Sequence, residues 1–329
     1  MEGKFSVGVD LGGTKIAFGL FDKDGKQVGK RKIYTDLSLD AGALMDEICR
    51  EIHELCREFG VEPTALAGAG FGMPSIIDIK SGYIILTSAI PNLREYYAKR
   101  ELETRLKIPV FLGNDSHCAA LAEHKFGAGR GFDNMLYVAF STGIACGIIL
   151  DGKLRRGAFG SAGETGHMLI TPDEGEYCGC GNKGCFMSYA SGRGINSHIK
   201  TWIKNGETTI MLEMAEGDPG KIDGRIIEAA YRKNDEMAVR AINQMAHYLS
   251  VLVYNLFIAF NVNCFVFGGG LTRFGKFFFD KVKAGFEHYL TSRPLGEIYF
   301  KIAELGSDFG IIGANQLLYL DGKKDETDF

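Results

Sequence analysis

Long apolar runs, clustered positive charge and a leader-like start are all missing from this chain of 329 residues. No stretch approaches the ~18 consecutive apolar residues of a membrane span, so no membrane partner is expected. Lysine and arginine number 37 against 41 aspartates and glutamates, a net charge of −4. Nucleic-acid faces need clustered basic residues, so none is expected here. A strand-like segment begins by Phe5, without the basic and apolar regions of a signal peptide. A disulfide framework is also lacking. Of eight cysteines, Cys49, Cys56, Cys118, Cys146 and Cys264 fall in helix- or strand-like segments, where free thiols pack as small hydrophobes. Cys49 and Cys56 share one expected helix and stand too far apart along it to bridge. This usage reads as a reducing, cytoplasmic setting.

What is present is the balance of a soluble globular protein, 46% hydrophobic and 24% charged, with length enough for two domains. The remaining cysteines form the sharpest motif. Glu164-Thr165-Gly166-His167 is followed by Cys178, Cys180 and Cys185 in a C-x-C-x4-C spacing. One imidazole and three thiolates are the ligands of a closed, structural tetrahedral Zn²⁺ site. A disulfide pair with one free thiol is the alternative.

The rest of the chain reads as alternating strands and helices, an α/β pattern. Phe5–Asp10 and Ile16–Phe21 alternate like strands around Gly12-Gly13, and Asp22–Gly25 turns the chain. An amphipathic helix follows, with Leu44, Ile48, Ile52, Leu55 and Phe59 on one face. Strands at Leu66–Phe71 and Val110–Leu112 precede Gly113-Asn114-Asp115 and a helix from about Ser116 to Phe126. The opening pattern then returns as Met135–Phe140, Ser141-Thr142-Gly143 and Gly147–Leu150, about 130 residues on. Two related domains follow from that repetition. A helix is expected over Met237–Phe260 and a buried strand over Cys264–Phe267, leading into Gly268-Gly269-Gly270. Residues 206–224 read as a surface loop or short helices, and 321–329 as a loose tail.

Asp10-Leu11-Gly12-Gly13-Thr14-Lys15 sets a carboxylate before exposed backbone N–H groups, a hydroxyl and an ammonium. Such a turn can cradle phosphate while the carboxylate holds Mg²⁺; a plain glycine hairpin is the alternative. Asp115, where a strand meets a helix, is either the helix N-cap or a base for a substrate hydroxyl. Glu164 and His167, three apart, can point together toward polyol hydroxyls, although a lone glutamate is usually a solvated surface residue. Gly268-Gly269-Gly270 suits either a nucleotide's close approach or a tight turn.

Taken in order, these segments resemble the ROK family of bacterial sugar kinases and related repressors, from about Phe5 to Leu320. The D-x-G-G-T-K hairpin, the G-N-D turn, E-x-G-H with C-x-C-G-x-x-G-C, and the later G-G-G carry the likeness. The resemblance implies the actin-like ATPase (ribonuclease H-like) fold, two α/β domains around a cleft, usually as a homodimer. On that basis the first domain is expected over 1–116, joined by a helix at about 308–320, and the second over 117–307. The implied reaction is ATP-dependent phosphorylation of a sugar hydroxyl, with Asp115 as general base. Asp10 then lies near Mg²⁺, and Gly12, Gly13, Thr14 and Lys15 near the phosphates. Thr142 and Gly143 form a second phosphate turn, and Gly268 and Gly269 face adenosine. Asn114, Glu164 and His167 bind the sugar, and His167, Cys178, Cys180 and Cys185 bind zinc. The resemblance also covers repressors with an N-terminal helix-turn-helix domain, for which a first core strand at Phe5 leaves no room.

Three departures stand out against the resemblance. Met187 occupies a position that usually carries a sugar-binding glutamate, so an ordinary glucokinase is not expected. Ser141, Ala145 and Cys146 replace glycines of the second phosphate turn, which bears on nucleotide preference. Ser75 stands where glycine is common, beside the expected sugar pocket. A sugar-binding protein with weakened catalysis is the alternative these changes suggest.

Overall fold

The alternation that begins at Phe5 folds as a β-hairpin, β1 (Phe5–Leu11) and β2 (Lys15–Asp22), antiparallel with Asp10 opposite Ala17. The structure is a computed structural model describing residues 4–87, 89–291 and 296–320. The expected loose tail, 321–329, lies outside the described residues. β3 (Gln27–Tyr34) pairs with β2 at the edge of the sheet. Its Lys30-Arg31-Lys32 run suits an edge, where charge discourages pairing with other chains, and hides the strand's period from a sequence reading. β4 (Leu66–Met73) lies parallel to β1, the β5–β6 hairpin (Ser75–Asp78, Tyr83–Thr87) follows, and β7 (Val110–Asn114) lies parallel to β4. The resulting order is β3-β2-β1-β4-β7.

A second sheet has the same plan. β8 (Met135–Phe140), β9 (Ile144–Leu150), β10 (Lys153–Leu154), β11 (Cys264–Gly268) and β12 (Tyr299–Ile302) take the order β10-β9-β8-β11-β12. Here too, three consecutive strands lie side by side and two later parallel strands extend the far edge.

The described residues fall into two compact units, one drawn from Met1–Gly131, Gly147–Ala162 and Glu304–Phe329, the other from Phe132–Cys146 and Gly163–Ala303. This division differs from a boundary at residue 116. The helix after β7 packs with the first unit, because its small residues, Cys118, Ala119, Ala120 and Ala122, are buried there. Residues 147–162 also return to that unit.

In the first unit, α1 (Ala41–Glu58) starts where Asp40 accepts a hydrogen bond from the Ala43 amide, an N-cap of the usual kind. Leu44, Ile48, Ile52 and Leu55 are buried on one face, but Phe59 is 47% exposed. The helix ends at Glu58, so Phe59 leaves the buried stripe. α2 (Ala98–Leu106) and α3 (Asp115–Phe126) follow. The last α-helix among the described residues packs on β1, β4 and α3. A Cβ at Gly8 would lie 2.0 Å from the Ile311 carbonyl, and one at Gly70 1.8 Å from that of Ala314. The glycines therefore let helix backbone rest directly on the sheet.

In the second unit lie α4 (Phe186–Ala190), α5 (Gly192–Lys204), α6 (Ile210–Met214), α7 (Gly224–Tyr231), α8 (Glu236–Phe260) and α9 (Lys276–Tyr289). The first unit's closing helix, α10 (Phe309–Gln316), completes the set. Asp235 caps α8, and Asn261, left-handed at φ 49°, ends it just before β11. Phe265, Phe267, Phe278 and Phe286 fill the core beneath.

Candidate functional site

Chemistry-bearing residues gather at the sheet ends of each unit. In the first unit, Gly12 and Gly13 turn between β1 and β2, with the Gly12 amide bonded to the Lys15 carbonyl at 3.1 Å. Thr35 braces the turn, its hydroxyl donating to the Gly12 carbonyl at 2.6 Å. Thr14 and Lys15 are exposed. Gly13 has a structural reason as well, since a Cβ there would lie 2.5 Å from the Ala89 carbonyl.

At the end of β7, Asn114 and not Asp115 is the N-cap of α3. Its Oδ1 accepts from the Ser116 amide at 2.8 Å and from the Ser116 hydroxyl at 2.6 Å, while its Nδ2 donates to the Ser75 carbonyl at 3.3 Å. With the cap supplied, Asp115 begins the helix and retains most of its lone pairs, one oxygen accepting from the Ser116 amide. Ser75 is buried, its hydroxyl donating to the Met73 carbonyl. Burial pushes the Asp115 carboxyl above its usual range. Asp10 is pushed up to about 6, first by burial and then by the charge of Asp115, against an opposing pull from Lys15. Two carboxylates whose burial raises their affinity for protons, Asp10 further so by the charge of Asp115, suit a hard divalent cation, whose oxygen chemistry Mg²⁺ meets. A Cβ at Gly310 would lie 2.4 Å from Asp10 Oδ2, so the first turn of α10 backs this carboxylate.

Two other side chains of α3 escaped the sequence reading. His117 Nε2 donates to the Ala162 carbonyl at 2.8 Å, and burial lowers the imidazole's pKa and keeps it neutral. Glu123, fully buried, accepts from the amides of Ala128, Glu304 and Leu305. The partners of Glu123 lie up to 182 residues away, and local periodicity carries no such information.

In the second unit, Glu164 precedes a 3-10 turn, Thr165–His167. His167 Nδ1 faces Cys178 Sγ at 3.6 Å, and Cys180 Sγ lies 3.7 Å from Cys185 Sγ. Ligand atoms of His167, Cys178, Cys180 and Cys185 all lie within 4.8 Å of one another. That set is compact enough for one tetrahedral ion with Zn–S distances of about 2.3 Å. Burial lowers the His167 pKa and favours the neutral, metal-binding imidazole. With Nδ1 turned to the thiols, Nε2 is the nitrogen left for another partner. Independently of any metal, the Tyr189 hydroxyl meets Thr171 Oγ1 and accepts from the Glu176 amide, each at 2.9 Å.

Thr142 and Gly143 form the β8–β9 turn, closed by the Ser141 amide on the Gly143 carbonyl at 3.0 Å. The first amides of α5 reach the same turn, Gly192 to the Ser141 carbonyl and Arg193 to that of Thr142. Gly270 adjoins Ser141, since a Cβ there would lie 3.5 Å from Ser141 Oγ. Gly268 is demanded by packing, because a Cβ would fall 1.9 Å from the Tyr137 hydroxyl, and Gly269 by its φ of +97°. Met187 turns its sulfur toward this turn, accepting from the Ile144 amide at 3.3 Å.

A family model described as the ROK family matches residues 6–320. Among curated proteins, the chain is 32% identical to a glucokinase of Streptomyces coelicolor, covering 95% of this chain and 96% of that one. It is 31% identical to an N-acetyl-D-glucosamine kinase of Aliivibrio fischeri, covering 93% and 97%. A xylose repressor of Caldicellulosiruptor bescii is 29% identical over 84% of this chain and 68% of its own. Among solved structures, a ROK hexokinase from Thermus thermophilus superposes with TM-score 0.82 at 31% identity, covering 97% and 99%. A ROK glucokinase from Streptomyces griseus, in complex with glucose and AMPPNP, gives 0.76 at 32% identity, covering 95% and 98%.

Proposed function

Because the chain belongs to the ROK family, we propose that it is an ATP-dependent sugar kinase with Asp115 as its general base. The fold is that of the actin-like ATPases. The observation that carries the base assignment is the enclosed Asp10–Asp115 pair, with both carboxyls held above their ordinary range. A base is most effective when its pKa lies near the working pH. Asp115 takes the proton of a sugar hydroxyl, the primary one at C6. The freed oxygen bonds to the γ-phosphorus, the bond to the β–γ bridging oxygen breaks, and ADP leaves with its electrons.

Asp10 holds Mg²⁺, which supplies charge neutralisation along the phosphates when bound. Gly12, Gly13, Thr14 and Lys15 in one turn, and Thr142 and Gly143 in the other, receive the phosphates. Gly268 and Gly269 border the adenosine. Asn114 and Ser75 of the first unit, and Glu164, His167 and Met187 of the second, are assigned to the sugar. His167, Cys178, Cys180 and Cys185 hold a structural Zn²⁺ that fixes the loop carrying Glu164. The enzyme works as a homodimer in the cytoplasm. Eight free cysteines suit that compartment, and light scattering tests the dimer.

The test is a coupled ADP-release screen over hexoses, amino sugars, deoxy sugars and glycosides. Turnover with at least one sugar is expected. A second reading, sugar binding with weakened catalysis, draws on Cys146, Ala145 and Met187. It predicts sugar-dependent thermal stabilisation with no ADP release across the same panel. Retention on DNA at low salt would favour a regulator instead.

A further inference from the structure

Within the second unit, two sulfur atoms join the turns that the proposed function assigns to phosphate and to sugar. The first is Met187 Sδ, which accepts from the Ile144 amide, directly after Gly143, at 3.3 Å. The same side chain fills the space between the two turns. A Cβ on Gly143 would lie 3.4 Å from its sulfur, and one on Gly166 2.8 Å from its methyl carbon. The second is Cys146 Sγ, fully buried, which accepts from the Thr165 hydroxyl at 3.1 Å. Backbone contacts run alongside. The Cys146 amide donates to the Gly163 carbonyl at 2.7 Å, and a Cβ on Gly166 would fall 2.4 Å from the Ile144 carbonyl.

Residues 163–166 are thus laid along 144–146, with the Cys146 sulfur on Thr165 and the Met187 methyl against Gly166. Packed segments of this kind shift together, because close-packed interiors do not deform continuously. Glu164 and His167 flank the gripped residues Thr165 and Gly166, so whatever steadies the Ser141–Gly143 turn steadies them too.

We propose that Met187 and Cys146 are positioning residues that couple the Ser141–Gly143 turn to the Glu164–His167 turn, so that bound nucleotide pre-orders the sugar-binding side chains. The proposal rests on the assignment of Thr142 and Gly143 to phosphate. By linkage, sugar raises nucleotide affinity by the same factor. Met187 therefore acts through protein contacts as well as through what it presents to a sugar.

Hydrogen exchange read by mass spectrometry on the full chain, with and without Mg·AMPPNP, tests this without a sugar. Nucleotide is expected to slow exchange in peptides over 141–147 and, by roughly fivefold or more, in those over 163–168. In Met187→Ala/Cys146→Ala the first protection stays and the second is lost. Met187→Leu, which conserves volume without the sulfur acceptor, weakens the second protection and guards against a variant that fails to fold. Protection over 141–147 alone in the unaltered protein overturns the coupling and leaves the phosphate assignment standing. Protection at neither overturns both. Protection over 163–168 that survives in the folded double variant also overturns the coupling.

Discussion

Asp10 titrates at about 6 in the folded protein, against an ordinary value of 3.8. A carboxyl whose pKa rises on folding binds its proton more tightly in the native state. Its stabilising contribution is complete below the unfolded value and is lost as pH climbs through the folded one. Without added Mg²⁺, the Asp10 contribution to stability should therefore decline from about pH 4 to about pH 6.5 by up to roughly 3 kcal/mol, since one unit is worth about 1.4 kcal/mol. Asp10→Asn should lack that decline. Denaturant titrations at a series of pH values check it, and parallel slopes for the two proteins would contradict it. Met187 makes the second residue-scale prediction. Met187→Glu returns a charged acceptor to the pocket wall and should move the sugar preference toward glucose or its N-acetylated relatives. An unchanged substrate profile counts against the assignment.

Among elements, α3 and the zinc loop carry the most consequence. Glu123 on α3 satisfies three backbone amides from inside the core. Glu123→Leu would leave those donors unpaired at about 1–3 kcal/mol each. Thermal melting should show Tm falling by about 6 °C or more, at about 2–4 °C per kcal/mol for a folding unit of 150–250 residues. An unchanged Tm would show that the carboxylate is dispensable. In the zinc loop, a chelator should lower both Tm and sugar affinity, because the ion closes a turn otherwise fixed by Tyr189. Melting with calorimetric sugar titration reads both, and indifference to the chelator argues against a bound metal. The legible elements were those with strong local signals. β1, β2, β4, α1 and α8 show plain apolar periods, and the three cysteines of C-x-C-x4-C gather with His167. β3, with charges on its edge, and α3's role as the seat of Glu123 depend on partners distant in sequence. The N-cap at Asn114 was equally hidden, since Asn and Asp are near-equal caps and only geometry chooses between neighbours.

For the whole molecule, the repeated strand–turn–strand pattern was the most informative sequence signal, and it reappears as two sheets with one strand order. Domain limits were less legible. The chain passes between the units at residues 131–132, 146–147, 162–163 and 303–304, and four crossings leave no single boundary for local sequence to mark. Members of the family at about 30% identity include kinases and repressors, so fold and family alone do not decide catalysis. The central claim is phosphoryl transfer with Asp115 as base. It is tested most directly by comparing Asp115→Asn with the unaltered protein, using the sugar that supports the fastest ADP release. The account predicts that calorimetric sugar binding is kept within a few-fold while ADP release falls by roughly 10²–10⁴. ADP release at an undiminished rate would contradict it.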